Sequence, residues 1–192
     1  MFIDQWLFEL INGLAGHTPA LDTLMQALVS DYVGPTVQVL ALFGFWFEGA
    51  TASERKGNQQ AVFRAIISLL VASAAVSMVN LAYFRDRPFR YHDVNLLFYY
   101  PTDSSFPSNS AAVVFSLATT VWLRNRRWGW VMLFLASGFA FSRIYCGVHY
   151  PADILGGFVI GAGTALVLTR HGNRMNSVFD PIIKLVQRVF LA

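Results

Sequence analysis

Apolar residues in this chain gather into blocks rather than alternating with polar ones. Five runs stand out, over 33–49, 60–83, 109–123, 128–146 and 151–169. A bilayer span takes about 20 apolar residues, with a range of roughly 17–25. The second and fifth runs meet this, and the third reaches it if its helix extends into the flanks. Upstream, Phe2, Ile3, Trp6, Leu7, Leu10, Ile11 and Leu14 recur at helical spacing, as do Leu21, Leu24, Met25, Leu28 and Val29. These segments predict interfacial amphipathic helices, or together one further span broken at His17-Thr18-Pro19. At the other end, Ile182, Ile183, Leu185, Val186, Val189 and Phe190 surround Lys184 and Arg188, which predicts an amphipathic surface helix. The expectation is an all-α polytopic membrane bundle of five or six transmembrane helices with amphipathic terminal helices. It forms one domain over 1–192: an N-terminal segment 1–32, core spans 33–169 and a tail 170–192.

Composition agrees with this pattern. Of 192 residues, 55% are hydrophobic and 13% charged, where a soluble domain has about a quarter charged. Mean hydropathy is +0.48. The net charge of +3 sits in short basic clusters between apolar runs, without the interleaved aromatics of a single-strand binder, so no nucleic-acid partner is expected. Residues 1–33 hold no Lys or Arg. Arg55, Lys56 and Arg64, then Arg124, Arg126 and Arg127, then Arg170 and Arg174 fall on one side if each run crosses once. The positive-inside rule makes that side cytoplasmic. The lone Cys146 has no partner for a disulfide or a metal and is expected to pack. Met1-Phe2-Ile3-Asp4 lacks a basic n-region, so no removable signal peptide is expected. No 20–50-residue repeat is apparent.

Three polar clusters fall on the opposite, extracytoplasmic side. They are Arg85-Asp86-Arg87-Pro88-Phe89-Arg90, then Ser104 to Ser110, then Ser142-Arg143 with His149 and Asp153 beyond. Arginines there run against the charge bias, and anion binding is the obvious reason, since the guanidinium fork matches phosphate oxygens. Pro107-Ser108-Asn109-Ser110 precedes an apolar run and reads as a helix start, with Ser108 as cap and free N–H groups for an anion. His149 and Asp153 are four apart around Pro151, so Asp153 can fix the imidazole tautomer and leave the other nitrogen free to attack phosphorus. Each cluster alone has an ordinary explanation: a helix stop, a capped turn, an interfacial histidine. Three of them, in order on one membrane face, point to one phosphate site.

These residues resemble the type 2 phosphatidic acid phosphatase superfamily, and within it the short bacterial undecaprenyl-diphosphate phosphatases. Ser142-Arg143-x5-His149-x3-Asp153 matches the third motif in full, Arg87-Pro88 the end of the first, and Phe106-Pro107-Ser108 the start of the second. The resemblance implies a cofactor-free, metal-independent phosphatase in the bacterial cell membrane. It implies His149 as nucleophile, Asp153 as its partner, and Arg87, Arg143, Ser108 and Asn109 around the phosphate of a lipid phosphate or diphosphate. Undecaprenyl diphosphate is the expected substrate, and phosphatidylglycerophosphate or another phospholipid phosphate the alternative. Two positions depart from the pattern. Asn80 stands where the family has Lys, and Ser110 where it has the His that protonates the leaving oxygen. Ser110 reads as an engineered trap, as a natural weakening, or as tolerable with a diphosphate substrate, and His92 could substitute as the acid. A non-catalytic lipid-phosphate binder or transporter is the rival reading, with intramembrane charge in its favour.

Overall fold

The computed structural model describes residues 2–190, less the side chains of residues 173, 174, 189 and 190. Met1 and the side chains of Arg174, Val189 and Phe190 therefore lie outside the described residues. Within them the regular structure is helical: α1 (Phe2–Asn12), α2 (Pro19–Val29), α3 (Val33–Phe47), α4 (Ala52–Ala82), α5 (Asn109–Arg124), α6 (Arg126–Tyr145), α7 (Pro151–Arg170) and α8 (Gly172–Phe190), with a 3₁₀ turn over Pro88–Arg90. All five apolar runs become helices, α3 to α7.

Polar residues just outside the runs set the boundaries. Thr51 and Glu54 form a capping box on α4, with Glu54 N–H donating to Thr51 Oγ1 at 3.2 Å and Thr51 N–H donating to Glu54 Oε2 at 3.4 Å. Asn125 caps α6 by accepting from Trp128 N–H at 3.2 Å. Pro151 opens α7, where a missing N–H costs nothing.

Helices α4 and α7 are each long and apolar enough to span a bilayer, and α2 with α3 pass together as a pair bent by 64°. The break expected at His17-Thr18-Pro19 separates α1 from α2, and a further break at residues 30–32 makes the bent pair. Helices α1 and α2 have 11 residues each, about 16 Å at ~1.5 Å per residue, so neither alone crosses a ~30 Å hydrocarbon core. Helix α1 keeps its amphipathic character. Phe8 is buried, and Phe2, Ile3, Trp6 and Leu10 point outward. Helix α8 is docked more firmly than a free surface helix. Phe179 and Ile183 are buried, Phe179 stacks on Phe63 of α4 at 5.3 Å, and Lys56 meets Asp180 at 2.7 Å.

Helix α5 is the central element, packed by α4, α6 and α7. Small residues allow this closeness. Ala111, Ala112, Ser116, Ala118, Thr119 and Thr120 are buried on α5. Gly157 and Gly161 of α7 face them so tightly that a Cβ at either would lie 2.4 Å from the Ser108 carbonyl oxygen or 2.3 Å from that of Ala112. Such four-residue spacing of small residues is how helices approach in lipid. It also brings the start of α7 against the start of α5, and the candidate chemistry lies there.

Candidate phosphate site

The C-terminal ends of α4 and α6, the starts of α5 and α7 and the 83–108 connection meet at one end of the bundle. They enclose a cavity of about 190 Å³. Of the residues singled out in the sequence, Asn80, Arg87, Asn109, Ser110, Arg143 and His149 line it. Ser108 and Asp153 are fully buried just behind.

His149 is the centre. Its Nδ1 lies 3.1 Å from the Ser105 carbonyl oxygen, an atom that can only accept, so Nδ1 carries the proton. The lone pair is then on Nε2, 3.2 Å from Arg87 Nη1 and 3.4 Å from Ser108 Oγ. Burial pushes His149 down to about 4, and the positive charges of Arg143 and Arg87 push the same way against Asp153. The ring is therefore neutral and its free nitrogen unprotonated at neutral pH. The expected Asp153 contact exists but is looser than the one to Ser105, with Oδ2 3.6 Å from Nδ1. The Asp153 carboxylate instead takes the hydroxyl of Ser105 and the Tyr150 N–H at 2.8 Å.

The two cavity arginines are buried and held from behind. Arg87 donates to the Val148 carbonyl at 2.8 Å, to Asp103 Oδ1 at 2.9 Å and to the Asp103 carbonyl at 3.2 Å. Arg143 donates to the Val29 carbonyl at 3.2 Å and to Asp31 Oδ1 at 2.7 Å. Asp31 in turn accepts from Tyr99 at 2.6 Å. Ser108 caps α5 through Ala111 N–H at 3.3 Å, so the first N–H groups of α5, those of Asn109 and Ser110, face the cavity as a helix start leaves them.

Some expectations shift. Of the arginines at 85, 87 and 90, only Arg87 reaches the cavity. Arg90 is exposed, and Arg85 turns away to Asp153 and Asp4, 2.7 Å from each. His92 lies outside this cavity. It stacks edge-on against Tyr150 at 6.2 Å and borders a separate hollow beside α1. Asp31, Tyr99, Asp103 and Asp4 carried no local signal, because their partners lie 16 to 148 residues away. No group of three or more His, Cys, Asp or Glu suited to a metal occurs among the described residues.

The sequence profile of the PAP2 superfamily matches residues 61–176, a stretch containing every motif residue above. The chain belongs to this superfamily. It is 31% identical over 186 residues to undecaprenyl-diphosphatase BcrC of Bacillus subtilis, covering 97% of this chain and 91% of that protein. It is 32% identical over 156 residues to the putative undecaprenyl-diphosphatase YbjG of Escherichia coli, covering 81% and 75%. The crystal structure of LpxE from Aquifex aeolicus superposes with a TM-score of 0.66 at 28% identity, covering 88% of this chain and 95% of that one. The chain is thus a helical membrane protein of a lipid-phosphatase family.

Proposed function

We propose that this chain removes the terminal phosphate of undecaprenyl diphosphate through a phosphohistidine on His149. The observation that carries the reading is the neutral, oriented His149, with its Nε2 lone pair between Arg87 and Ser108. In the first step Nε2 bonds to the terminal phosphorus and the bond to the bridging oxygen breaks. Lipid monophosphate departs as an anion. Arg87, Arg143 and the first N–H groups of α5 hold the equatorial oxygens while charge builds there. The ring, now phosphorylated at Nε2 and protonated at Nδ1, is cationic, and Asp153 beside it stabilises that charge. Water then attacks phosphorus, the N–P bond breaks, the water's proton passes to solvent and inorganic phosphate leaves.

Ser110 bears on the substrate. A serine hydroxyl is no acid at neutral pH, and general acid catalysis is worth about 10²–10⁴-fold. A departing lipid phosphate needs that help far less than a departing alkoxide does. The diphosphate is therefore favoured over phosphatidylglycerophosphate and other monoesters, and Ser110 slows the monoesters most. The relatives named undecaprenyl-diphosphatase support the same choice. The basic clusters at the other end of the bundle support a cell-membrane orientation with the cavity outside, and the five apolar runs that form α3 to α7, with α2 extending α3 across its bend, support a count of five spans.

The test is phosphate release by the purified protein from undecaprenyl diphosphate and from phosphatidate, with His149→Ala as control. Release from the diphosphate that disappears in the control is expected. Ser110→His should raise phosphatidate turnover by about 10²-fold or more and diphosphate turnover much less. Tight binding without turnover in both this chain and Ser110→His would leave a binding protein instead.

A further inference from the structure

At the far end of the bundle, α4, α5 and α8 border an open polar hollow of about 420 Å³. Its wall carries Lys56, Arg64, Arg124, Gln60 and Asn176. It is far from His149. Along α4, Lys56 and Asn80 are 24 residues apart, about 36 Å at ~1.5 Å per residue.

The charges here do not balance. Lys56 is matched by Asp180 at 2.7 Å, and Gln60 takes the other oxygen of that carboxylate at 2.7 Å. Glu54 is occupied, with its carboxylate accepting the Ala50 N–H at 2.9 Å and the Thr51 N–H at 3.4 Å. Among the described residues, neither Arg64 nor Arg124 then has a carboxylate within ion-pair distance. Their contacts are to neutral groups: Arg64 to Asn176 Oδ1 at 3.3 Å, and Arg124 to Asn58 Oδ1 at 3.1 Å and to the Glu54 carbonyl at 3.3 Å. Arg64 Nε is buried with no acceptor.

Two glycines seat these side chains. A Cβ at Gly57 would lie 2.4 Å from Arg124 Nη2, and one at Gly172 would lie 2.6 Å from Arg64 Nη1. Topology alone calls for basic residues on this side of the bundle. It does not call for two guanidiniums lining one hollow with no carboxylate paired to either, where like charges repel. An anion between them removes the repulsion.

We infer that this hollow is a second phosphate-binding site, taking either the headgroup phosphate of an anionic phospholipid or free inorganic phosphate. The guanidinium pair suits tetrahedral oxyanions, and basic pockets between helices at a membrane face are established headgroup sites. Its chemistry stands without the proposed reaction. Only its assignment to the cytoplasmic leaflet rests on that reading.

The test is equilibrium binding of radiolabelled inorganic phosphate to the full chain in nanodiscs of phosphatidylcholine, repeated with phosphatidylglycerol added. Two classes of site are expected. Arg87→Gln should remove the one in the catalytic cavity. Arg64→Gln with Arg124→Gln should remove the other and leave phosphate release unchanged. Should that pair fold poorly, Asn176→Asp serves instead. It sets a carboxylate beside Arg64, so it should abolish the second class while raising the thermal midpoint. Loss of the second class on adding phosphatidylglycerol assigns the site to a headgroup, and its persistence assigns it to free phosphate. One class alone, lost in Arg87→Gln, overturns the inference. Failure of His149-dependent turnover bears only on the proposed reaction.

Discussion

Arg85 grips Asp153 at 2.7 Å with one guanidinium nitrogen and Asp4 at 2.7 Å with the other. Asp4 also caps the start of α7 by accepting the Ala152 N–H at 2.7 Å. The acid behind His149 is thus anchored by the 83–108 connection and by the N-terminal helix together.

Arg85→Gln leaves a fully buried carboxylate without its cation, a loss worth about 3–5 kcal/mol when a buried pair is broken. A clear fall in thermal midpoint and a fall in kcat with little change in KM are expected. Asp4→Asn should move both in the same direction by less, because Arg85 keeps Asp153. Melting curves and phosphate release on the same preparations check this. An unchanged kcat in Arg85→Gln removes its positioning role.

His149 sets the acid limit. With its proton affinity lowered to about 4 from an ordinary value near 6.5, the native state binds fewer protons than the unfolded state between those values. Stability therefore rises with pH across that window and is lost as pH falls from 6.5 toward 4. The acid limb of kcat/KM should lie near pH 4 rather than 6.5. Thermal midpoints and rates from pH 4 to 7 read both, and His149→Ala should flatten the stability slope.

Gly161→Val drives a side chain toward the Ala112 carbonyl, where even a Cβ would sit at 2.3 Å. Overpacking of this kind costs about 1–3 kcal/mol or more, and here it pushes α7 away from α5. Lower folded yield and lost turnover are expected. Gly163→Ala, where nothing lies within 4 Å of the added carbon, is the matched control and should be neutral or slightly stabilising.

Asp31→Asn removes the carboxylate that occupies Arg143. Because that pair is partly exposed, its strength is at most ~1 kcal/mol. Inorganic phosphate should then inhibit about two- to fivefold more strongly. A product-inhibition constant, measured beside an Asp103→Asn variant, tests whether both carboxylates compete with the ligand.

Much of this was legible in the sequence for local reasons. The apolar blocks became α3 to α7, since a membrane span must satisfy its own backbone. His149 and Asp153 share a helix start, so their proximity follows from spacing alone. The Ser108 cap likewise needed only the turn that contains it. The remainder depends on contacts between distant segments. Nothing beside Asp31 in the chain announces Arg143, and nothing beside Asp4 announces Arg85. The break between α1 and α2 was legible because His17-Thr18-Pro19 is a strong local signal, while the one at Ser30-Asp31-Tyr32 carries no Pro or Gly to announce it.

The pairing of Arg87 with Asp103 and of Arg143 with Asp31 has a further consequence. Two guanidiniums matched by two carboxylates cast almost no field beyond the cavity mouth, so the site does not draw phosphate compounds in from bulk water. Capture then depends on a substrate that already travels in the plane of the bilayer, and lateral diffusion of a tailed lipid replaces long-range attraction. Water-soluble phosphates, however well they match the arginines, meet this site only by chance.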